Sequence, residues 1–241
     1  YSAIKEDFLQ PRSNSNHIIV ETLPAVISFI TFIINLCLEK GVFPDSLKVA
    51  LVKPLLKKIG LDKEDFKMYR PVSNLSFLSK TIERVIAVRL FDHMKQNDLL
   101  EDMQSAYKVG HNTESALLRI HNDLLCGVDN GSGMLLVLLD LSAAFDTVDH
   151  TLLLETLENN IGVSGTALSL LKSYLTDRSQ SVSIENIQSE LVHLIYGVPQ
   201  GSVLGPIKFC MYTLPLGAIL RHHNIGYHIY ADDTQLYLAC D

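Results

Sequence analysis

Apolar residues dominate from Leu23 to Leu38, broken by Pro24, Ser28, Thr31 and Asn35. The pattern predicts a buried amphipathic helix over 21–40, ended by Gly41 and Pro44, and it is too short and too interrupted for a membrane span. Residues 1–20 are polar and irregular and predict a loose lead-in. Ala50 to Leu56 reads as a strand, and Pro54 within it marks an edge position. A charged loop fills 57–67, and Pro71 forces Arg70 into an extended conformation. Helical spacing returns over 76–97 through Ile82, Val85, Ile86, Leu90 and Phe91. It returns again over 115–126, where Thr113 is the expected cap. Met134 to Leu139 is unbroken apolar sequence after a glycine-rich loop, the pattern of a strand buried on both faces. Asp149 is placed to cap a helix running to Leu157, and a further helix spans 165–175. Strands over 181–184 and 190–195 pair across a polar turn. A glycine-rich connection, Gly197 to Pro206, then leads into one helix over 203–222. Two apolar-rich runs around Ala231-Asp232-Asp233-Thr234 predict a closing β-hairpin from Gly226.

Helices and strands alternate irregularly, which favours α+β over a parallel α/β sheet. With 241 residues, 47% of them hydrophobic, the chain can fill one sizeable core as a single domain, 1–241. Its four cysteines have no paired spacing, so they suggest neither a zinc site nor a disulfide framework and fit a reducing, intracellular compartment. The net charge of −7 argues against a nucleic-acid binder if read globally. The distribution changes that picture, because residues 48–108 carry 12 Lys/Arg against 8 Asp/Glu and the remainder 8 against 19. A basic segment beside an acidic one can serve phosphates with the first and metal ions with the second.

Two adjacent carboxylates at a hairpin tip repel each other, and Asp140, 92 residues earlier than Asp232, ends the apolar run. An unpaired carboxylate at the end of a buried strand is expensive unless a cation neutralises it. If the two strands are neighbours in one sheet, Asp140 and Asp232 converge. Carboxylates completed by water and phosphate oxygens are how proteins hold Mg²⁺, and two such ions serve phosphoryl transfer. The glycines of 197–206 let backbone approach a flat ligand, with Gln200 able to donate to a sugar or base. A plain strand–turn–helix connection is the alternative for that segment.

The segments Tyr69-Arg70-Pro71-Val72-Ser73, Leu138 through His150, Gly197-Val198-Pro199-Gln200-Gly201-Ser202 and Tyr230-Ala231-Asp232-Asp233-Thr234 come in an order that resembles the reverse transcriptase domain of non-LTR (LINE-like) retrotransposons. Gly41 to Pro44 and Gln104 to Leu118 extend the resemblance, which covers most of the chain from about residue 20. It implies a right-hand polymerase with fingers (about 1–133, plus the segment before Gly197) and palm (about 134–241), truncated before the thumb. The implied activity is RNA-directed DNA synthesis from dNTPs on an RNA template and a DNA primer, with Mg²⁺ (or Mn²⁺) as cofactor, in the cytoplasm or nucleus. By the same resemblance Asp140 and Asp232 are metal ligands together with the carbonyl of Leu141, and Asp233 is a third catalytic carboxylate. Phe145 is the ring that excludes a 2′-hydroxyl, Gln200 and Gly201 lie by the nucleotide, and Arg70 and Lys108 face its triphosphate. Asp146 and Asp149 read as structural caps. Tyr107-Lys108 departs from a more usual Phe-Arg, and Lys208 stands where relatives are apolar, so that it must snorkel or cost stability. The alternative is a relic or co-opted domain that binds nucleic acid without catalysis.

Overall fold

A 28-residue helix, α1 (Ser13–Lys40), leads into two strands, β1 (Val49–Leu56) and β2 (Tyr69–Asn74), and a long helix, α2 (Phe77–Gln96). Then come α3 (Thr113–Asp129), β3 (Gly133–Leu139), α4 (His150–Asn159) and α5 (Gly165–Leu175). A strand cluster follows, β4 (Arg178–Ile184), β5 (Ile187–Gln188) and β6 (Val192–Leu194). The chain closes with α6 (Leu204–Tyr212), α7 (Leu214–His222), β7 (Gly226–Tyr230) and β8 (Asp233–Cys240). This computed structural model describes residues 13–185 and 187–240, with side chains from residue 24 onward.

The mixture is α+β, and its strands form two sheets. One has the order β2-β1-β4-β5, with β6 also on β4. The other is antiparallel, β3-β8-β7. The main core lies among the helices α1, α2, α4, α5 and α6, around Phe43, Ile82, Leu153, Leu157, Tyr174 and Phe209. A small second core, Leu220, Tyr227 and Ile229, sits under the hairpin.

Several expectations change. Residues 1–12 of the expected lead-in lie outside the described residues, but from Ser13 the chain is already helical. Ile19 and Leu23 carry the apolar spacing of Ile27, Ile30, Ile34 and Cys37 further upstream. That helix is not buried: Ile34 and Cys37 face the core while Phe29 (66%) and Phe32 (61%) stay exposed. Among the described residues no helix is long and apolar enough to cross a membrane. β1 is no edge strand, since it pairs with β2 antiparallel and with β4 in parallel. Pro54 is tolerated because the β4 pairing stops at Val52, leaving only β2 beside it. Asn112, not Thr113, caps α3, in a reciprocal box with Ser115. The expected helix over 203–222 is two helices that break at Thr213, because Pro215 starts the second.

β3 differs most. It is the edge of its sheet, and Leu135 to Leu139 are 38–70% exposed rather than buried on both faces. Apolar composition shows what a strand tolerates, not what covers it. Among the described residues only β8 pairs with β3, and α3 packs on it.

Candidate active site

The antiparallel pairing of β3 with β8 brings the acidic segments together. Leu139 pairs with Thr234, so the next step of the register sets Asp140 against Asp233. β7 and β8 turn between Tyr230 and Asp233 through Ala231 and Asp232, with Ala231 at a φ of 58°. Asp140 is solvent-exposed, which corrects the expectation of an expensive buried carboxylate. Its backbone leaves an exposed edge strand, so water solvates it. The Asp233 carboxyl is held above the ordinary range by partial desolvation and then by the negative charges of Asp232 and Asp140. The three acids therefore share one electrostatic neighbourhood, and among the described residues no Lys or Arg is ion-paired with them.

The turn after Asp140 is locked to the glycine-rich segment. Val198 N–H donates to Phe145 O, and Gly197 N–H to Val148 O, both at 2.8 Å. His150 Nε2 lies 2.7 Å from Gly197 O. Gly197 has a φ of 84°, and a Cβ there would stand 2.8 Å from Asp146 O, so the close approach requires glycine. Gly201 (φ 101°) lies against Ser73, whose N–H donates to Gln200 O at 2.7 Å. The glycine-rich segment thus bridges β2 and the acidic corner. Asp149 caps α4 as expected, through Thr151 and Leu152 N–H. Asp146 is not a cap. It accepts from Gln200 Nε2 at 3.3 Å, and partial burial raises its pKa while that bond lowers it. Phe145 is half-buried and stacks on Phe209, with centroids 5.2 Å apart.

Arg70 is exposed on β2, opposite Leu55. Lys108 Nζ donates to Glu101 O at 2.6 Å. Lys208 does not snorkel: it is fully buried with Nζ 3.5 Å from the Tyr174 ring centroid.

Sequence reasoning missed Gln104, Glu101 and Tyr107. Gln104 is buried and bonds the backbone of Ala231. Glu101 accepts from Arg221 Nη1 and from Tyr227 Oη, both at 2.8 Å, which pins the far end of β7. Tyr107 has a φ of 59°, and its hydroxyl pKa is raised by burial and then by Cys210, Asp232 and Tyr230. The usable signal was position, inside a mostly polar segment that leads into turn residues; residue type alone says little.

Among the described residues no three His, Cys, Asp or Glu side chains converge closely enough to hold a metal unaided. The donor set still fits Mg²⁺, which takes one or two carboxylates and fills its octahedron with water and substrate phosphates. Like charges such as those that raise the Asp233 carboxyl are what such an ion relieves.

Residues 61–240 match the family described as Reverse transcriptase (RNA-dependent DNA polymerase). The chain is 33% identical over 97% of its length to "Probable RNA-directed DNA polymerase from transposon BS" of Drosophila melanogaster, covering 26% of that protein. It is 32% identical over 86% of its length to the corresponding protein of transposon X-element from the same species, covering 23% of it. The chain thus spans about a quarter of the length of these curated relatives. Among solved structures, telomerase from Candida albicans in complex with a TWJ fragment of telomeric RNA superposes with a TM-score of 0.56 at 14% identity, over 83% of this chain and 40% of that one. Apo telomerase from Candida tropicalis, truncated from the C-terminal domain, gives 0.55 at 14%, over 81% and 44%. The shared fold is that of a right-hand polymerase.

Proposed function

The chain belongs to the reverse transcriptase (RNA-dependent DNA polymerase) family, and from that membership we propose that it is the fingers and palm of an RNA-directed DNA polymerase serving retrotransposition. The sheet of β1, β2 and β4 to β6 belongs to the fingers, and the sheet of β3, β7 and β8 to the palm. The reaction is attack of a primer 3′-hydroxyl on the α-phosphate of a dNTP, forming a phosphodiester and releasing pyrophosphate. The observation that carries this reading is the strand register that sets Asp140 beside the Asp232-Asp233 turn, close enough for their charges to raise the Asp233 carboxyl, with no Lys or Arg ion-paired to them among the described residues.

Asp140 and Asp232 would hold Mg²⁺ or Mn²⁺ with the carbonyl of Leu141. When bound, such an ion supplies the charge that eases ionisation of the hydroxyl and neutralises the departing pyrophosphate. Asp233 deepens the negative potential at the tip. Phe145, braced on Phe209, would stack under the sugar, exclude a 2′-hydroxyl and favour a deoxyribose. Gln200 and Gly201 line the nucleotide, and Gln200 must leave Asp146 to bond it. Arg70 meets the triphosphate, as does Lys108 once it releases Glu101 O. An RNA template and DNA primer are the partners, in the cytoplasm or nucleus; RNA in a telomerase neighbour of the same fold supports the first.

In a complete version of the polymerase, Asp232→Asn should abolish Mg²⁺-dependent extension of a DNA primer on RNA while leaving the thermal midpoint in place; full extension by that variant sinks the assignment. One observation favours a second reading, a copy that binds nucleic acid without catalysis. Lys208 is buried with no hydrogen-bond partner for Nζ among the described residues, a cost that catalysis does not need. No extension by the unmodified complete version, with template binding retained, would select that reading.

A further inference from the structure

The tip of the hairpin is held by a residue 127 positions away. Met103 to Ser105 lies along the outer edge of β7: Ile229 N–H donates to Met103 O at 2.8 Å, and Ser105 N–H to Ile229 O at 2.9 Å. Ser105 Oγ is 2.9 Å from His228 Nε2, which locks the register from the side chain as well. This short parallel segment delivers the Gln104 side chain, 5% exposed, to the turn. There Oε1 accepts from Ala231 N–H at 3.0 Å, and Nε2 donates to Ala231 O at 3.4 Å. Oε1 also accepts from Ala106 N–H at 2.9 Å, which fixes the carboxamide plane.

Ala231 needs such a hold. It is the first central residue of a two-residue hairpin turn with φ at 58°, a place that favours glycine because a Cβ crowds the backbone. Its peptide leads directly into Asp232. A carboxamide is the one neutral side chain that offers a donor and an acceptor in a plane matching both groups of a peptide. Methionine offers neither, and asparagine is a methylene short.

We propose that Gln104 is a positioning residue: by bonding both backbone groups of Ala231, it fixes where the Asp232 carboxylate stands for metal binding. The inference rests on the reading of Asp140 and Asp232 as metal ligands. Ligand sets bind well only when held within about 0.5 Å of their working geometry, and a turn left to its own preference does not do that.

The test uses the full chain, Mn²⁺ alone as probe, and amide exchange and paramagnetic broadening by NMR. In the wild type, Mn²⁺ should broaden the resonances of Asp140, Asp232 and Asp233, and the Ala231 amide should be protected. Gln104→Met should speed exchange at Ala231 and weaken Mn²⁺ affinity by about tenfold, the loss of one to two hydrogen bonds. Amides in α4 should keep their protection. Ala231→Gly added to Gln104→Met should recover part of the affinity, because glycine adopts this φ unaided. A merely structural role for Gln104 predicts no such rescue. Unchanged Ala231 exchange, unchanged affinity, or absent rescue overturns the proposal. If Gln104→Met loses protection throughout, Gln104→Leu, which also lacks both groups and adds no charge, is read by the same criteria. If wild-type Asp140 and Asp232 show no Mn²⁺ effect, the metal reading fails, while exchange at Ala231 still decides the clamp.

Discussion

Replacing Lys208 with methionine should stabilise this protein. Lys208 is fully buried in α6, and among the described residues its Nζ has no hydrogen-bond partner. It rests on the Tyr174 ring, which Arg178 also approaches, with its guanidinium carbon 4.6 Å from the centroid. Burial drives the lysine pKa well down, the nearby Glu83 charge opposes that, and Arg178 adds to it. Glu83 does not depend on Lys208. It accepts from Val203 N–H at 2.7 Å, Leu204 N–H at 3.2 Å and Ser79 Oγ at 3.1 Å, so the start of α6 satisfies its carboxylate. Methionine follows the same unbranched path, lacks one heavy atom, and offers sulfur to the Tyr174 face in place of the ammonium. Swapping buried charge for an apolar side chain of similar volume gains about 1–4 kcal/mol. The lost cation–π contact returns roughly 0.5–2 kcal/mol of that. Taken at their midpoints the two leave a net gain of about 1 kcal/mol, a midpoint rise of roughly 2–4 °C at this size. The sign with pH follows from linkage. An unfolded lysine holds its proton up to about pH 10.4, and the folded one releases it lower. The penalty is therefore absent above that pH and grows as pH falls toward the folded pKa. Urea unfolding of both proteins at pH 7 and pH 10 should show a gap that narrows at pH 10. A less stable Lys208→Met at pH 7, or a gap indifferent to pH, refutes the reasoning.

Phe145→Val should raise incorporation of ribonucleotides relative to deoxyribonucleotides in primer extension; unchanged selectivity would assign the ring to packing on Phe209 alone. Glu101 makes an acid-labile anchor. Its desolvation favours the protonated form, but the bonds from Arg221, Tyr227 and Met103 N–H outweigh that and leave its pKa lowered. Its stabilisation is present above the ordinary carboxylate range, near pH 4.3, and is lost as pH falls through the lower folded value. Fluorescence-monitored acid unfolding should shift to higher pH in Glu101→Gln, and an unmoved transition would show that the cluster contributes nothing.

The parts of the fold legible in the sequence were those set by neighbours in the chain. Asp149 reads as a cap because its partners are two and three residues on, and the final hairpin reads from its own alternation. Asn112 and Thr113 are both good caps, so the choice between them fell one residue off. What stayed hidden depends on distant chain. Composition marked β3 as apolar but could not say that both of its faces stay open. The burial of Glu83 is invisible until α6 supplies two N–H groups from 120 residues away. The site divides the same way. Asp140, Asp232 and Asp233 drew notice through their places in the ordered motifs, since a carboxylate pair at a turn is by itself ordinary turn chemistry. Gln104 did not, because a glutamine in a turn-rich stretch is unremarked until its partner at Ala231 is known.

The pairing of β1 with β4 and of β3 with β8 has a consequence for biosynthesis. Val49 finds Ser179 in parallel register, and Leu139 finds Thr234. Each strand thus waits for nearly 100 further residues or more, roughly 5–20 s or longer at ribosomal rates of about 5–20 residues per second. During that interval β1 has only β2 beside it and β3 has neither edge paired, which makes the nascent chain a substrate for chaperones. A ribosome stalled before residue 233 leaves β3 without the one strand that pairs with it.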